Sequence, residues 1–363
     1  VSLAMLVNNL SFSYKFANQI KLSILVLLSV LMISCETVRY YSQAARGHLS
    51  LVFDRENIQR LLARPDIPAE LRDKFNQVLL IRQYAVEELG LPVEDNYSTY
   101  VDVGREHAIW NVFAAAEFSA NPVNWCYPIA GCVSYRGYFT EAGAARYARD
   151  LEADGFDVYI GGIDAYSTLG WFEDSLLSTV IERADYQLAG LIFHELAHQI
   201  VYLPGDTSFN ESFATSVERE GIRRWLRRGN DGEKIIAAEA NILRQQQFVE
   251  LVTDYRDRFG SLYKSDLLDE EKREGKAQLQ EDLRQSYRDL KRDWNGYDGY
   301  DNWFSQSLNN AQLATVSSYN ELVPYFNDLL IQSDNNLDLF FEKVRSVANL
   351  DRSDREERLQ DYL

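Results

Sequence analysis

The stretch FHELAHQIVYLPGDTSFNESFAT, from Phe193 to Thr215, holds two of the chain's four histidines, with glutamates at 195 and 211. His194 and His198 stand at i and i+4, so on a helix both imidazoles leave the same face. That spacing suits two nitrogen ligands on one tetrahedral Zn²⁺. Glu195, next to the first histidine, is off the ligand line. It is still near enough to act as general base on a metal-activated water. The apolar flanks Leu191, Ile192, Ile200 and Val201 put this helix in the interior, where a His–Glu–His cluster needs partners. Metal-assisted hydrolysis is the chemistry this pattern can support.

A catalytic zinc takes a third protein ligand and keeps one open position. After the Pro204–Gly205 break, NESFATSVEREGIRRWLRR begins a new helix that stops at Gly229, with Glu211 in its first turn. Glu211 has two readings: the third ligand, or half of a capping box with Ser208. Glu218 competes for the ligand role from the same face. It lies about 10 Å farther along the helix axis, so one ion cannot take both.

Elements must hold these groups in place. Periodicity and stop signals predict one helix from Arg183 to Leu203 carrying both histidines. Upstream, helices are expected over YYSQAARGHLSLV, FDRENIQRLLA and PAELRDKFNQVLLIRQYAVEELG. Between Tyr97 and Trp171 short β-rich pieces follow, including AIWNVFAA and FDVYIGGIDAYS, interrupted by the helix EAGAARYARDLEADG. From Leu176 the chain reads as helical. Residues 231–295 form a long helical hairpin with a solvated face, with Gly260 and Gly275 as breaks. Residues 296–304 read as a loop, and a helix from 309 to 326 is kinked or interrupted at Pro324. The fold class expected is α+β, mainly helical, with a small sheet.

A net charge of −18 argues against a nucleic-acid partner, which needs a basic surface. Residues 1–34 read as a signal peptide: Lys15 and Lys21 precede LSILVLLSVLMI, which is too short to span a bilayer comfortably. MISC, ending at Cys35, resembles the lipobox of bacterial lipoproteins. That resemblance implies cleavage before Cys35, a lipid anchor on it, and, with Glu36 following, an outer-membrane location facing the periplasm. Cys126 and Cys132 remain, and an even remainder in an exported chain suggests a disulfide, with Pro128 and Gly131 favouring the turn between them. Residues 35–363 are read as a single domain.

NESFA resembles the third-ligand segment of gluzincin metallopeptidases. Together with FHELAHQ, DAYSTLGWFED (164 to 174) and LNNAQLATVSSY (308 to 319), it resembles the bacterial predicted-aminopeptidase family, whose members are often lipoproteins. The resemblance implies a zincin-like catalytic core, a peptide substrate, Zn²⁺ as cofactor, and Glu211 rather than Glu218 as third ligand. By the same likeness YIGGIDAYSTLGWF is a substrate-binding edge strand. Gly161 and Gly162 would then let a peptide backbone approach, and Tyr166 would flank it. Tyr319 would donate to the developing oxyanion. An aminopeptidase also needs an acidic anchor for the substrate's ammonium, for which Asp164, Glu173 and Asp174 are available. An endopeptidase, a non-peptide hydrolase and a zinc-containing scaffold stay open as alternatives.

Overall fold

The computed structural model describes residues 37–127, 131–166, 173–229, 232–317 and 320–362. The chain forms two units, Val1–Phe53 and Asp54–Leu363. In the first, helix α1 covers residues 37–53. Cys35 lies outside the described residues, and among those described no helix is long and apolar enough to cross a membrane.

The second unit opens with β1 (Glu56–Asn57) and α2 (Ile58–Leu62), where the sequence pattern predicts one helix. Asn57 stays extended and its side chain accepts from Arg60 N (3.1 Å), so the helix begins only after it. Helix α3 (Ala69–Glu87) buries Phe75, Val78, Ile81 and Tyr84 along one stripe. Next come β2 (Thr99–Val101), β3 (Ile109–Ala116), β4 (Trp125–Tyr127), β5 (Gly131–Val133) and β6 (Arg136–Tyr138). They are followed by α4 (Glu141–Ala153), β7 (Phe156–Ile163) and β8 (Leu176–Leu177). The rest is helical: α5 (Ser178–Ile181), α6 (Asp185–Ala197), α7 (Thr207–Gly229), α8 (Gly232–Lys264) and α9 (Asp269–Asp293). The last five are α10 (Asp301–Phe304), α11 (Asn310–Ser317), α12 (Val323–Ile331), α13 (Leu337–Ala348) and α14 (Arg352–Leu359). The chain is thus mainly helical with small sheets, an α+β arrangement.

The strands form three small sheets, in the orders β1-β2-β8, β6-β3-β7 and β4-β5. The β4-β5 hairpin is closed by a Cys126–Cys132 disulfide. β7 is an edge strand, antiparallel to β3 along its whole length. Two cores hold the helices. One gathers α3, α6, α7, α12 and α13 around Phe193, Phe209, Phe213, Phe326 and Phe340. The other lies inside the α8–α9 hairpin and its return, with Phe248, Phe259, Leu283, Tyr287 and Phe304. The hairpin is tied to the sheet by Lys276 Nζ on Asp157 Oδ2 (2.6 Å) and by Arg273 on both oxygens of Glu117 (2.7 and 3.1 Å).

Gly260 and Gly275 break nothing: both lie inside long helices, and a Cβ on Gly275 would lie 3.0 Å from Leu262, so this glycine lets α8 and α9 close together. The reversal comes instead at residues 265–268, where Leu268 N donates to Glu271 Oε2 (2.8 Å). Pro324 stands in the first turn of α12, after Val323, where a missing N–H costs nothing, so of the two readings there the helix is interrupted and not kinked. Gly162 lines a cavity, and only its side-chain face is filled. The His107 ring, which hydrogen-bonds Asp164 Oδ1 (2.7 Å), lies 2.2–2.5 Å from where its Cβ would be. Gly161, with neighbours at 3.4 and 3.6 Å, has room for a methyl group.

Gly162→Ala should therefore cost about 1–3 kcal/mol through overpacking. Gly161→Ala should cost far less. Urea midpoints of the two variants check this, and equal midpoints would contradict the packing argument.

Candidate active site

α6 and α7 run antiparallel and in contact, so that His198 meets Glu211, Phe193 meets Gly221 and Gly190 meets Ile222. α6 is shorter than its sequence pattern suggests: it ends at Ala197, with His198 as its cap. The connection to α7 is clasped by Asn210, whose side chain accepts from Leu203 N (2.7 Å) and donates to Leu203 O (2.9 Å). Asp206 Oδ1 accepts from Phe209 N (3.1 Å) and so caps α7. The helix thus starts earlier than expected, and the Ser208–Glu211 capping box does not form. Ser208 Oγ donates to Glu321 Oε2 (2.8 Å), and Glu211 is left to face the histidines. The disulfide hairpin abuts the same connection. A Cβ on Gly131 would lie 2.6 Å from Gly205 N, and both glycines take positive φ (75° and 84°).

His194 Nε2 lies 3.2 Å and His198 Nε2 3.7 Å from Glu211 Oε2. The three ligand atoms of His194, His198 and Glu211 all fall within 4.8 Å of one another, a group able to hold a metal ion. Two imidazole nitrogens and one carboxylate oxygen fit a borderline-soft divalent cation such as zinc. His194 Nδ1 turns the other way, 3.1 Å from Glu218 Oε2, the outer carboxylate that fixes the tautomer of a ligating imidazole. Glu218 is therefore not a rival on the same point; it lies across the ring from it. His198, only 5 % exposed, has no partner for Nδ1 among the described residues.

The electrostatics suit a cation. Burial alone would push His194 down, but hydrogen bonds and charge from Glu211 and Glu218 outweigh it and hold the ring well above its ordinary value. Burial takes His198 down to about 4, opposed by the charge of Glu211. Burial works to raise Glu211, yet His198 and His194 together keep it below the usual carboxylate range. The two rings are thus pushed in opposite directions, His194 toward its protonated form and His198 toward its neutral one.

His194, Glu195 and Glu218 share a cavity of about 670 Å³ with residues 162–165 at the end of β7 and with Tyr186 and Asn241. The edge strand thus reaches the cavity that the histidine helix floors. Tyr166 packs edge-on against Phe139, with ring centroids 5.3 Å apart. Tyr319 lies outside the described residues, although Asn320, just after it, accepts from Arg219 (3.1 Å) on α7. Of the suggested acidic anchors, Asp164 lines the cavity but bonds His107 through Oδ1 and Arg183 through Oδ2 (2.9 Å). Glu173 is 55 % exposed and pairs with Arg55 (3.7 Å), and Asp174 is buried.

Two tyrosines near the centre escape a sequence reading. Tyr97 is buried with φ 56°, a strained value for an aromatic residue, fixed by its N–H on Asp174 O (2.7 Å). Burial first, then the charges of Glu195 and Asp174, drive its phenol well above the ordinary range. Tyr202 follows the histidines and is pushed up by burial and by Glu211. With 22 tyrosines in the chain, no local signal singles out these two.

The model of the family described as "Putative aminopeptidase" matches residues 39–359, and the chain belongs to that family. No curated protein and no solved structure matches it.

Because Glu211 and Glu218 favour the protonated form of His194, an ion entering the cluster competes with a proton there. Zinc uptake at pH 7 should release about one proton per ion, and apparent affinity should rise with pH until the elevated His194 value is passed. Calorimetric zinc titrations in buffers of different ionisation enthalpy measure this. No proton release at pH 7 would mean that His194 is already neutral.

Proposed function

We propose that the protein is a zinc-dependent aminopeptidase, with His194, His198 and Glu211 as metal ligands and Glu195 as general base. The observation that carries the reading is the convergence of two Nε2 atoms and one carboxylate oxygen beside a cavity that Glu195 also lines. Family membership supports peptide hydrolysis. A bound zinc would supply Lewis acidity, lowering the pKa of the attacking water and polarising the scissile carbonyl.

The chain's own residues do the rest. Glu218 holds His194 through Nδ1, so that Nε2 keeps its lone pair toward the ligand cluster. Glu195 takes the proton from the attacking water and returns it to the leaving amine. The end of β7 offers an unpaired strand edge to an extended substrate. Tyr319, by resemblance, is proposed as a donor to the oxyanion. The zincin-like character of the core belongs to this same reading.

Glu195→Gln keeps the shape of the side chain but cannot accept a proton. It should retain zinc and fold while hydrolysis falls about 10²–10⁴-fold. Matched peptides with free and acetylated N-termini separate the outcomes. Cleavage of the free-amine set alone supports an aminopeptidase, and cleavage of both an endopeptidase. A zinc-loaded wild type inert toward a broad peptide library would leave a zinc-containing binding protein.

We also propose that the signal segment is removed and Cys35 lipidated, leaving the enzyme anchored in the envelope and facing the periplasm. The support is the apolar run ending in MISC. Mass spectrometry of the native protein should find acyl chains on an N-terminal Cys35. A mature N-terminus elsewhere, with Cys35 unmodified, defeats the anchor.

A further inference from the structure

We infer that Glu218 is the anchor for the substrate's α-ammonium group, so that one carboxylate both steadies His194 and reads the free N-terminus. The inference rests on the peptidase reading above and deepens it. It assigns the feature that separates an exopeptidase from an endopeptidase.

Three carboxylates line the cavity among the described residues: Asp164, Glu195 and Glu218. Asp164 has both oxygens engaged, one by His107 and one by the guanidinium of Arg183, which also cancels its charge. Glu195 has the proton-transfer role and cannot also be held by a fixed cation. Glu218 alone is left. Its Oε2 meets His194 Nδ1 at 3.1 Å, its Oε1 has no hydrogen bond or ion pair among the described residues, and its side chain is 29 % exposed. Arg219, the next residue along the helix, attracts it by charge but makes no hydrogen bond to it among the described residues, its guanidinium donating to Asn320 Oδ1 (3.1 Å).

The position is right for an α-amine. Two bonds of about 1.5 Å each separate an α-nitrogen from the first carbonyl carbon. An anchor for that nitrogen must therefore stand close to the reacting centre. Glu218 is one imidazole away from it: the His194 ring has Glu218 at 3.1 Å on Nδ1 and Glu211 at 3.2 Å on Nε2. The stem is also fixed. Gly190 on α6 leaves just the space that Glu218 Cγ occupies, 3.2 Å from where a Cβ would be. An internal peptide placed there would set a neutral, acylated nitrogen against this carboxylate and gain no ion pair. A free ammonium supplies both the charge and the donor.

The test is a binding cycle in the Glu195→Gln background, where bound peptide is not turned over. Trialanine and N-acetyl-trialanine are titrated calorimetrically into zinc-loaded full-length protein bearing Glu218, Glu218→Gln or Glu218→Asp, with zinc content measured for each. Gln keeps an acceptor for His194 Nδ1 and removes the charge, whereas Asp keeps the charge and shortens the stem. With Glu218 present, the free-amine peptide should bind roughly ten- to hundredfold tighter than the acetylated one. Gln should abolish that ratio with zinc retained, and Asp should keep part of it. A ratio unchanged in Gln, no ratio with Glu218 present, or zinc lost equally from both variants would overturn the assignment. Wild-type turnover reports the peptidase reading separately. A protein that binds with amine preference but hydrolyses nothing fails that reading while leaving the ammonium site intact.

Discussion

Helices α6 and α7 meet through two glycines, and the chemistry between them depends on how closely that lets them approach. A Cβ on Gly190 would lie 2.6 Å from Ile222 Cδ1, and one on Gly221 2.5 Å from Phe193 Cδ2. Phe193 and Ile222 are buried core residues that cannot swing into solvent. Any side chain at either glycine would push the helices apart, in a core where overpacking costs about 1–3 kcal/mol. Phe193 is the neighbour of His194, and Gly221 follows Glu218 within a turn. The same approach that fills the core therefore brings the imidazoles within 3.1–3.7 Å of their carboxylates. Separation by even a methyl group would turn ligand-range distances into gaps.

Placing two carboxylates and two imidazoles in that interior works against stability when no ion is present. Charges taken out of water regain their hydration only through good mutual geometry. Here His194 faces one glutamate with each ring nitrogen, while burial favours the neutral form of His198, whose Nδ1 has no partner among the described residues. What holds the arrangement is its apolar surround: Phe193, Leu196, Phe209 and Phe213 are buried around it, and Asn210 clasps the intervening turn. The disulfide hairpin reinforces that turn from outside, since Gly131 and Gly205 pack backbone to backbone. The cluster is preorganised by packing into an arrangement that a cation would suit.

The sequence reveals those parts of this arrangement that are local. The i, i+4 histidines, the Pro204–Gly205 break, the hairpin of 231–295 and the Cys126–Cys132 pairing all follow from neighbours along the chain. Glu211 needed a resemblance, because S-x-x-E reads equally well as a cap until Asp206 is seen to take that role. The contacts that come from far away were not legible. His107 covers Gly162 from more than fifty residues upstream, and Arg183 with His107 silences Asp164. Gly275 reads as a breaker because the pattern does not show that Leu262 will lie against it. Glu218 was visible two turns beyond Glu211, but helix spacing alone could not tell a second ligand from a partner across the ring.

The cavity adds a division of labour between the two cores. The His194–His198–Glu211 cluster is set by the core around Phe193 and Phe213, which fixes α6 against α7. The opposite wall comes from α8 and the tyrosines after α9, through Asn241, Ile242, Gln245, Tyr297 and Tyr300. Those residues are positioned by the hairpin's own core, where Tyr300 stacks on Phe248 (4.2 Å) and Phe304 on Tyr287 (3.9 Å). Between the walls, the bond from Asn241 Nδ2 to the Tyr186 hydroxyl crosses from α8 to the first turn of α6. The charged hairpin, which from composition alone looks like a solvated appendage, is thus the element that sets the width of the space beside the ligands. The two walls are held by separate packing, so the wall from α8 and its return can vary in sequence without disturbing the cluster able to hold an ion.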